Sequence, residues 1–349
     1  MNAEPAVSVV IPTRNRADLL REALASVLAQ TLLPFEVIVA DDASTDATAE
    51  VVATFGDAVQ FVRQEHAGGS AARNLGVSRA RGDLIALLDS DDTWHPAKLE
   101  RQVALHRQVS GLAWSVTDCK VVGADLEPVA GVQGFKRVFV AAAEFAGPVE
   151  ELFSRHLERV DVGASGCTAF VGDFFELLFR GNLALPSTAL IRRDAWHEVG
   201  GFDPSYAVAQ DAEFFHRLAA RHRGGVLLDP LTRYRLGHGP QASVPARSIE
   251  KLRNALRSAE VAAALRAPLS PSARDAFADG RRRLLRRLAW THLANFQPAD
   301  ARDAIRAYRA AGGAWDAGTL AWRGLAMLPG PALRGLHAAK RTLAGRTRV

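Results

Sequence analysis

Short apolar runs alternate with stretches of helical periodicity along the first third of the chain. Runs at residues 7–11, 36–40 and 59–63 predict three strands, and a fourth begins the segment 84–92. The fourth run has no polar alternation, which is typical of a strand buried on both faces of a parallel sheet. Apolar residues at helical spacing separate the runs. This alternation predicts an α/β domain whose mostly parallel sheet carries helices on both faces.

The pattern changes farther along the chain. Residues 123–181 show no clear period, whereas residues 182–192 predict a further strand. From about residue 248 the chain is predicted to be helical, with interruptions at prolines and glycines. We therefore expect two regions, the first of them in two halves: residues 1–245 (halves 5–122 and 123–245) and a helical extension over 246–349.

Composition narrows the class of protein. The 349 residues are 48% hydrophobic, which is enough to bury an α/β core. The two cysteines, Cys119 and Cys167, argue against a disulfide scaffold and fit a reducing cytoplasm. No segment approaches the roughly 18 apolar residues of a membrane span, and no basic-then-apolar leader opens the sequence. We therefore expect a cytoplasmic protein without a secretory signal.

Charge is divided unevenly between the two regions. Residues 251–349 contain 19 Lys and Arg and 6 Asp and Glu, a net charge of +13, whereas the whole chain carries +5. Arginines at 281–283 and 286–287 lie among leucines and Trp290, a pattern typical of a helix on an anionic membrane surface. A helical cap on the first domain, or a contact with a second subunit, explains the pattern equally well. Nucleic-acid binding is disfavoured because no recognised motif accompanies the charge.

Three carboxylates crowd the end of the fourth predicted strand. Asp89, Asp91 and Asp92 follow the apolar run directly. Carboxylates packed this densely repel one another unless a cation or solvent compensates them. Ligands bind at the carboxyl ends of strands in open α/β sheets, and a divalent cation there can hold a phosphate-bearing substrate. The alternative is a solvated acidic turn.

Three other polar stretches fall at predicted strand ends. Pro12, Thr13 and Asn15 end the first strand, where backbone and short polar side chains can grip a flat base. Asp42 ends the second and can accept hydrogen bonds from a pyrimidine imide or a ribose hydroxyl. A glycine-rich helix start places Arg73 where it can bind a phosphate. Each stretch alone also fits a cap, a surface ion pair or a plain loop, but together they favour a nucleoside-diphosphate site.

The order and spacing of these motifs closely resemble family-2 glycosyltransferases with the GT-A fold, a Rossmann-like nucleotide-diphospho-sugar transferase fold. The resemblance covers roughly residues 5–240. The segments that carry it are SVVIPTRNR, VIVADDASTDAT and GGSAARNLGVSRARGDLIALLDSDDTWHPAKL, followed by NLALPSTALIRR, VGGFD and QDAEFFHRL. It implies that residues 5–122 form the donor half and residues 123–245 the acceptor half of a catalytic domain.

The resemblance also implies roles for donor-binding residues. Pro12, Thr13 and Asp42 would hold the nucleobase, and Arg73 would lie near the diphosphate. Asp89 opens the Asp-Ser-Asp motif that matches the family's DxD signature.

The metal and the base follow from the same resemblance. Asp91 would bind the ribose or the metal, and Asp92 the metal, which is Mn²⁺ or Mg²⁺. Asp211 matches the family's general base, with an N-cap as the alternative role. His238 lies close to where related enzymes place a histidine near the metal or the diphosphate. It is displaced from their usual Tyr-Arg-x-His arrangement, and a plain loop histidine is the alternative.

These residues predict a metal-dependent, inverting glycosyltransferase. It would move a sugar, from a UDP-sugar, to a hydroxyl of a glycan, a lipid-linked saccharide or a cell-surface polymer precursor, at the inner face of the membrane. A homodimer through the C-terminal helices is also expected. Two other functions stay open: a sugar nucleotidyltransferase, whose usual glycine-rich signature residues 12–16 lack, and a glycan-binding protein on the same fold. A dehydrogenase is disfavoured because no GxGxxG follows the first strand.

Overall fold

The computed structural model describes residues 6–133, 148–163, 166–181, 183–236 and 247–334, with backbone alone at 130–133. The chain divides into two compact units, Met1–Pro240 and Gln241–Val349. Each unit has a hydrophobic core of its own among the described residues.

The first unit is built on one mixed sheet. The strands of the described residues are β1 (Val7–Thr13), β2 (Glu36–Asp42), β3 (Gln60–Gln64), β4 (Leu84–Leu87), β5 (Thr93–Trp94), β6 (Trp114–Val122), β7 (Pro128–Gln133), β8 (Glu158–Val162), β9 (Cys167–Gly172), β10 (Leu190–Arg192) and β11 (Gly224–Arg235). Their order in the sheet is β3-β2-β1-β4-β10-β6-β11-β9-β8, and β5 pairs with β11 and β7 with β6.

Helices connect these strands. Those described are α1 (Ala17–Leu28), α2 (Thr48–Ala53), α3 (Gly69–Arg79), α4 (Lys98–Gln108), α5 (Val149–Ser154), α6 (Phe175–Leu178), α7 (Arg193–Val199) and α8 (Gln210–Arg221), with 3₁₀ turns at Gly56–Ala58 and Pro186–Thr188. The predicted strand over residues 182–192 is wrong in part, because the chain forms the second 3₁₀ turn before the short β10. Pro186 opens that turn, and it has no N–H to donate to a ladder.

Residues of β1 alternate between two cores. Val9 and Ile11 pack in the cluster that contains Leu20 of α1 and Leu99 of α4. Val10 packs instead in the cluster that contains Val77 of α3. Both faces of the sheet are therefore covered by helices, which confirms the predicted α/β class.

The parallel strands bring their carboxyl ends to one edge of the sheet. β1 pairs in parallel with β2 and with β4, and β2 pairs in parallel with β3. In the register, Thr13 lies opposite Asp41, and Asp42 lies opposite Gln64. The loops after β1, β2, β3 and β4 thus start at the same edge, where open α/β sheets bind ligands.

The second unit is helical over the described residues. Its helices are α9 (Ser248–Leu265), α10 (Pro271–Ala294), α11 (Pro298–Ala310) and α12 (Ala317–Ala326). Leu252, Leu288, Leu293 and Ile305 form part of its core. Prolines at the first positions of α10 and α11 suit helix starts, because those N–H groups have no partner within the helix. Among the described helices, none has the length and apolar character needed to cross a bilayer.

Candidate functional site

Asp89, Asp91 and Asp92 meet just beyond the carboxyl end of β4. One carboxylate oxygen from each lies within 4.8 Å of the others. Two of these side chains have arginine partners: Arg73 donates to Asp89, and Arg16 Nη1 lies 2.5 Å from Asp91 Oδ2. Three carboxylates this close are the oxygen ligands that Mg²⁺ and Mn²⁺ prefer. The cluster predicted from the sequence is therefore brought together.

Asp92 is the buried member of the cluster. Its side chain accepts hydrogen bonds from Ser187 Oγ, at 2.6 Å, and from the Arg235 backbone N–H, at 2.9 Å. Among the described residues it has no salt bridge. Burial, and then the negative charges of Asp91 and Asp89, raise the pKa of Asp92 well above its usual value. A buried carboxylate without a cation is costly, so a divalent ion fits the donor set that surrounds it.

Ser187 holds two members of the cluster in place. Its hydroxyl donates to Asp92 and accepts the Asp89 backbone N–H at 3.0 Å. Its carbonyl in turn accepts Trp94 Nε1–H at 2.8 Å and the Thr232 hydroxyl at 3.1 Å. Sequence reasoning assigned no role to Ser187, and its only signal was its place in the segment NLALPSTALIRR.

The two carboxylate oxygens of Asp42 have four hydrogen-bond partners within the protein. Gln64 Nε2 and the Ala67 N–H donate to one oxygen, at 2.8 and 2.7 Å. His66 Nδ1 and the Gly68 N–H lie 2.7 and 3.0 Å from the other. Burial alone would raise the pKa of Asp42, but these hydrogen bonds outweigh it and hold the pKa below its usual value.

The hydrogen bonds to Asp42 constrain how it can meet a nucleobase. A carboxylate has about four lone-pair sites, and all four are occupied here. A base that binds to Asp42 must replace one of the present donors. His66 is the more exposed side-chain donor, at 54%, and its Nε2 lies 2.6 Å from Arg14 Nη1. Asp42 thus shapes the loop between β3 and α3, a role that the sequence did not indicate.

The end of β1 lies beside this loop. Pro12 and Thr13 are buried, and the Thr13 hydroxyl has no hydrogen-bond partner among the described atoms. Asn15 adopts a positive φ of 50°. Its N–H donates to Ser44 Oγ at 2.9 Å, and its Oδ1 accepts the Thr45 N–H at 2.7 Å. Asn15 therefore fastens the loop after β1 to the loop after β2.

Arg73 lies at the start of α3, where it reaches the acidic cluster. It is buried, with its guanidinium 5.2 Å from the centroid of the Phe202 ring. Its Nε and Nη1 have no hydrogen-bond partner among the described atoms. The absence of a side chain at Gly69 leaves room beside Arg73, since a Cβ there would lie 3.3 Å from Nη1. These donors suit an anion at the helix start.

Asp211 lies in the first turn of α8. The N-cap of α8 is Ala209, which excludes Asp211 as the N-cap residue. Tyr234 of β11 connects Asp211 to the cluster electrostatically. Burial, and then the charges of Asp92, Asp89, Asp91 and Asp211, raise the pKa of Tyr234 above its usual value.

One phenol thus lies in the field of all four carboxylates. Tyr234 was not singled out from the sequence beyond its place before Arg235. His238, the remaining candidate, lies outside the described residues.

Comparison with known sequences identifies relatives of the first unit. Residues 8–122 match the family described as Glycosyl transferase family 2. The chain is 34% identical over 132 residues to the putative teichuronic acid biosynthesis glycosyltransferase TuaG of Bacillus subtilis, covering 37% of this chain and 52% of TuaG. It is 39% identical over 123 residues to the succinoglycan biosynthesis protein ExoO of Rhizobium meliloti, covering 35% of each.

A third relative is matched over a shorter stretch. The uncharacterized glycosyltransferase RT0329 of Rickettsia typhi is 37% identical over 99 residues, which are 28% of this chain and 31% of RT0329. The chain thus spans about a third to a half of the length of these three relatives.

Solved structures share the fold. TarS of S. aureus, in complex with UDP-GlcNAc, superposes with a TM-score of 0.54 and 17% identity, covering 89% of this chain and 93% of that one. The mannosyltransferase PcManGT of Pyrobaculum calidifontis, in complex with GDP-Man and Mn²⁺, gives a TM-score of 0.55 and 20% identity, covering 97% and 80%. At these identities the likeness establishes the GT-A fold.

Proposed function

We propose that this chain, whose residues 8–122 match the family described as Glycosyl transferase family 2, transfers a sugar from a nucleoside diphosphate to a hydroxyl acceptor. UDP is the proposed nucleotide, and the acceptor is a glycan, a lipid-linked saccharide or another precursor of a cell-envelope polysaccharide. TuaG and ExoO are named for teichuronic acid and succinoglycan biosynthesis, which supports the proposed acceptor. TarS was crystallised with UDP-GlcNAc, which supports UDP as the nucleotide. We also propose that the protein works at the cytoplasmic face of the membrane.

One observation carries this proposal above the others. Asp92 is a buried carboxylate without a salt bridge among the described residues, and it lies within 4.8 Å of two further carboxylates, Asp89 and Asp91. Asp91 and Asp92 would hold Mn²⁺ or Mg²⁺, with Asp89 between them and Arg73. A bound divalent ion would neutralise charge on the departing nucleoside diphosphate. PcManGT, a protein of the same fold, was crystallised with Mn²⁺.

Asp211 is the proposed general base. An acceptor hydroxyl must lose its proton as it attacks the sugar carbon, and a carboxylate within hydrogen-bond reach can accept that proton. Its negative charge reaches Tyr234, as do the charges of the acidic cluster. A base that faces the acceptor would support direct displacement, which inverts the anomeric configuration.

A donor panel tests the choice of nucleotide. The intact chain is heated with UDP-glucose, UDP-GlcNAc, UDP-galactose or GDP-mannose, each with and without Mn²⁺. We expect at least one UDP-sugar to raise the melting temperature, and to do so more strongly with Mn²⁺. A response to GDP-mannose alone would contradict the assignment of UDP, and no response to any donor would contradict the proposed function.

Substitutions test the two carboxylate roles. Asp92→Asn is expected to abolish Mn²⁺-dependent hydrolysis of the sugar nucleotide that binds, whereas Asp161→Asn, an exposed carboxylate of β8, should leave it unchanged. Asp211→Asn should keep donor binding but slow hydrolysis by about 100-fold or more, the usual contribution of a general base. Unchanged hydrolysis in Asp92→Asn would remove the metal assignment, and unchanged hydrolysis in Asp211→Asn would remove the base.

A further inference from the structure

The helical unit has a surface on which exposed apolar side chains alternate with arginines. On α10, Arg287 and Trp290 are exposed one turn apart. On α12 and its C-cap, Leu320, Arg323 and Met327 follow at spacings of three and four, so they share one face. Trp290, Leu320 and Met327 are 49%, 52% and 71% exposed. We call these five residues, together with Trp315, the α10/α12 surface.

The two helices are neighbours at this surface. The Trp290 ring of α10 lies 5.6 Å from the Trp322 ring of α12, centroid to centroid. Trp315, just before α12, is 37% exposed and has the guanidinium of Arg323 5.5 Å from its ring centroid. Tryptophan and arginine are therefore combined on one exposed part of the helical unit, as in helices that lie at a membrane–water interface.

Most acidic side chains of the helical unit form ion pairs with arginines outside the α10/α12 surface. Glu260 pairs with Arg281, Asp279 with Arg282, Asp300 with Arg253, Asp303 with Arg306, and Asp316 with Arg286. Within the described residues, Arg287 and Arg323 have no ion pair. The sequence after Asp316 contains six Lys and Arg and no Asp or Glu. Among the described residues, the positive charge of Arg287 and Arg323 is therefore not balanced by an ion pair.

We propose that the α10/α12 surface binds an anionic lipid bilayer, with Trp290, Leu320 and Met327 at the level of the headgroups and Arg287 and Arg323 against lipid phosphates. Charge complementarity selects this occupant over a second copy of the chain. A symmetric dimer through the same surface would bring each arginine-rich face against its own copy, and like charges repel. Lipid phosphates satisfy the arginines, and acyl chains accept the apolar side chains. The inference does not depend on the chemistry of the donor site.

Vesicle co-sedimentation of the full chain tests the inference. The probes are vesicles of phosphatidylcholine alone and of phosphatidylcholine mixed with phosphatidylglycerol, each at low and at high salt. We expect binding to the phosphatidylglycerol vesicles at low salt and release at high salt. Equal binding to both vesicle types, or no binding at low salt, would overturn the proposal.

Two double variants test the charged and the apolar side chains of the surface separately. Arg287→Gln with Arg323→Gln removes charge, and Trp290→Ser with Met327→Ser removes exposed apolar side chains. Each is expected to lower the partition coefficient by about tenfold. The control is Leu33→Ser with Arg159→Gln, which alters exposed residues of the first unit and should bind as the native chain does.

Two further readouts separate this proposal from its rivals. Sugar-nucleotide hydrolysis without vesicles should be unchanged in all three double variants, so a loss of lipid binding is distinct from a failure of the donor site. Sedimentation velocity reports on self-association. A dimer that the apolar substitutions dissociate, together with unaltered vesicle binding, would assign the surface to a second copy of the chain and overturn the proposal.

Discussion

Asp42 and Asp92 are both buried carboxylates, but their surroundings have opposite effects. Four hydrogen-bond donors surround Asp42 and keep its pKa below the usual value, so it is stable as an anion without a cation. Burial, and then the charges of two other carboxylates, raise the pKa of Asp92, despite the two hydrogen bonds that it accepts. The first residue is suited to fixing a loop, and the second is suited to receiving a positive charge.

Ser187 offers a test of how the cation site is oriented. Ser187→Ala would remove the donor to Asp92 and the acceptor of the Asp89 N–H, leaving both groups free to shift. We expect the dissociation constant for Mn²⁺, measured by electron paramagnetic resonance with UDP present, to rise by about 10-fold or more, as for other outer-shell partners of metal ligands.

The control for Ser187 lies in the same 3₁₀ turn. The Thr188 hydroxyl donates to the Leu185 carbonyl at 2.7 Å and makes no hydrogen bond to the acidic cluster among the described residues, so Thr188→Ala should lower stability without changing Mn²⁺ affinity. Equal Mn²⁺ affinities in the native chain and in Ser187→Ala would show that Ser187 only supports the turn.

Sequence reasoning reached the acidic residues but missed Ser187 and Tyr234. The three carboxylates are adjacent to one apolar run, so a local pattern reveals them. Ser187 meets Asp92 across 95 positions of the chain, and Tyr234 lies in β11, still farther along. Their approach depends on the placement of the 3₁₀ turn and β11 in the sheet, which no local pattern specifies.

Among the described elements, α3 packs closely against the sheet through a glycine. A Cβ at Gly76 would lie 2.3 Å from Val10 Cγ1 and 3.4 Å from Ala40 Cβ, so the helix approaches β1 and β2 through its glycine. Arg73 lies three residues earlier on the same helix. The position of the arginine beside Asp89 therefore depends on how near α3 packs to the sheet.

Gly76→Ala tests this dependence. We expect the added methyl group to lower the free energy of unfolding by about 1–3 kcal/mol, as overpacking does, and to weaken donor binding by displacing Arg73. Urea unfolding and donor titration measure the two effects. Gly324→Ala in α12 is the matched control, since a Cβ there meets nothing within 4 Å and should stabilise the helix by up to about 1 kcal/mol. Native donor affinity in Gly76→Ala would separate the packing of α3 from the site.

The elements that the sequence predicts best are those whose environment is uniform. β4 is buried throughout, and its apolar run identifies it directly. The prediction of a strand over 182–192 failed in part because most of the described residues of this segment are buried, so their apolar character indicates burial and not a strand. Pro186 was the available signal against the strand, because proline cannot complete a ladder.

For the whole molecule, a buried histidine links stability to pH. His216 is 8% exposed, and burial holds its pKa down to about 4, despite opposing contributions from the Leu178 carbonyl and Asp211. The unfolded chain binds a proton near pH 6.5, before the folded chain does, so stability falls as pH falls from 7 towards 4. We expect His216 to account for about 2 kcal/mol of the loss between pH 7 and 5.

Urea unfolding at pH 7 and pH 5 measures the effect of His216. His216→Leu should reduce the difference in unfolding free energy between the two pH values, whereas His197→Gln, an exposed histidine of α7, should not. An unaltered difference in His216→Leu would assign the acid sensitivity to other groups.

Because the chain divides into two units, we expect a ligand to stabilise only the unit that binds it. The carboxylates, Arg73 and Asp42 all belong to Met1–Pro240, and the described core of the helical unit consists of residues within 249–333 alone. In calorimetry, UDP with Mn²⁺ at about 100 times its dissociation constant should add about 2.7 kcal/mol to the unit that binds it. A second transition, from the helical unit, should keep its temperature. A single transition that moved to higher temperature would show that the two units unfold as one cooperative body. In that case, calorimetry of Asp92→Asn would show whether the rise in melting temperature depends on the cation site.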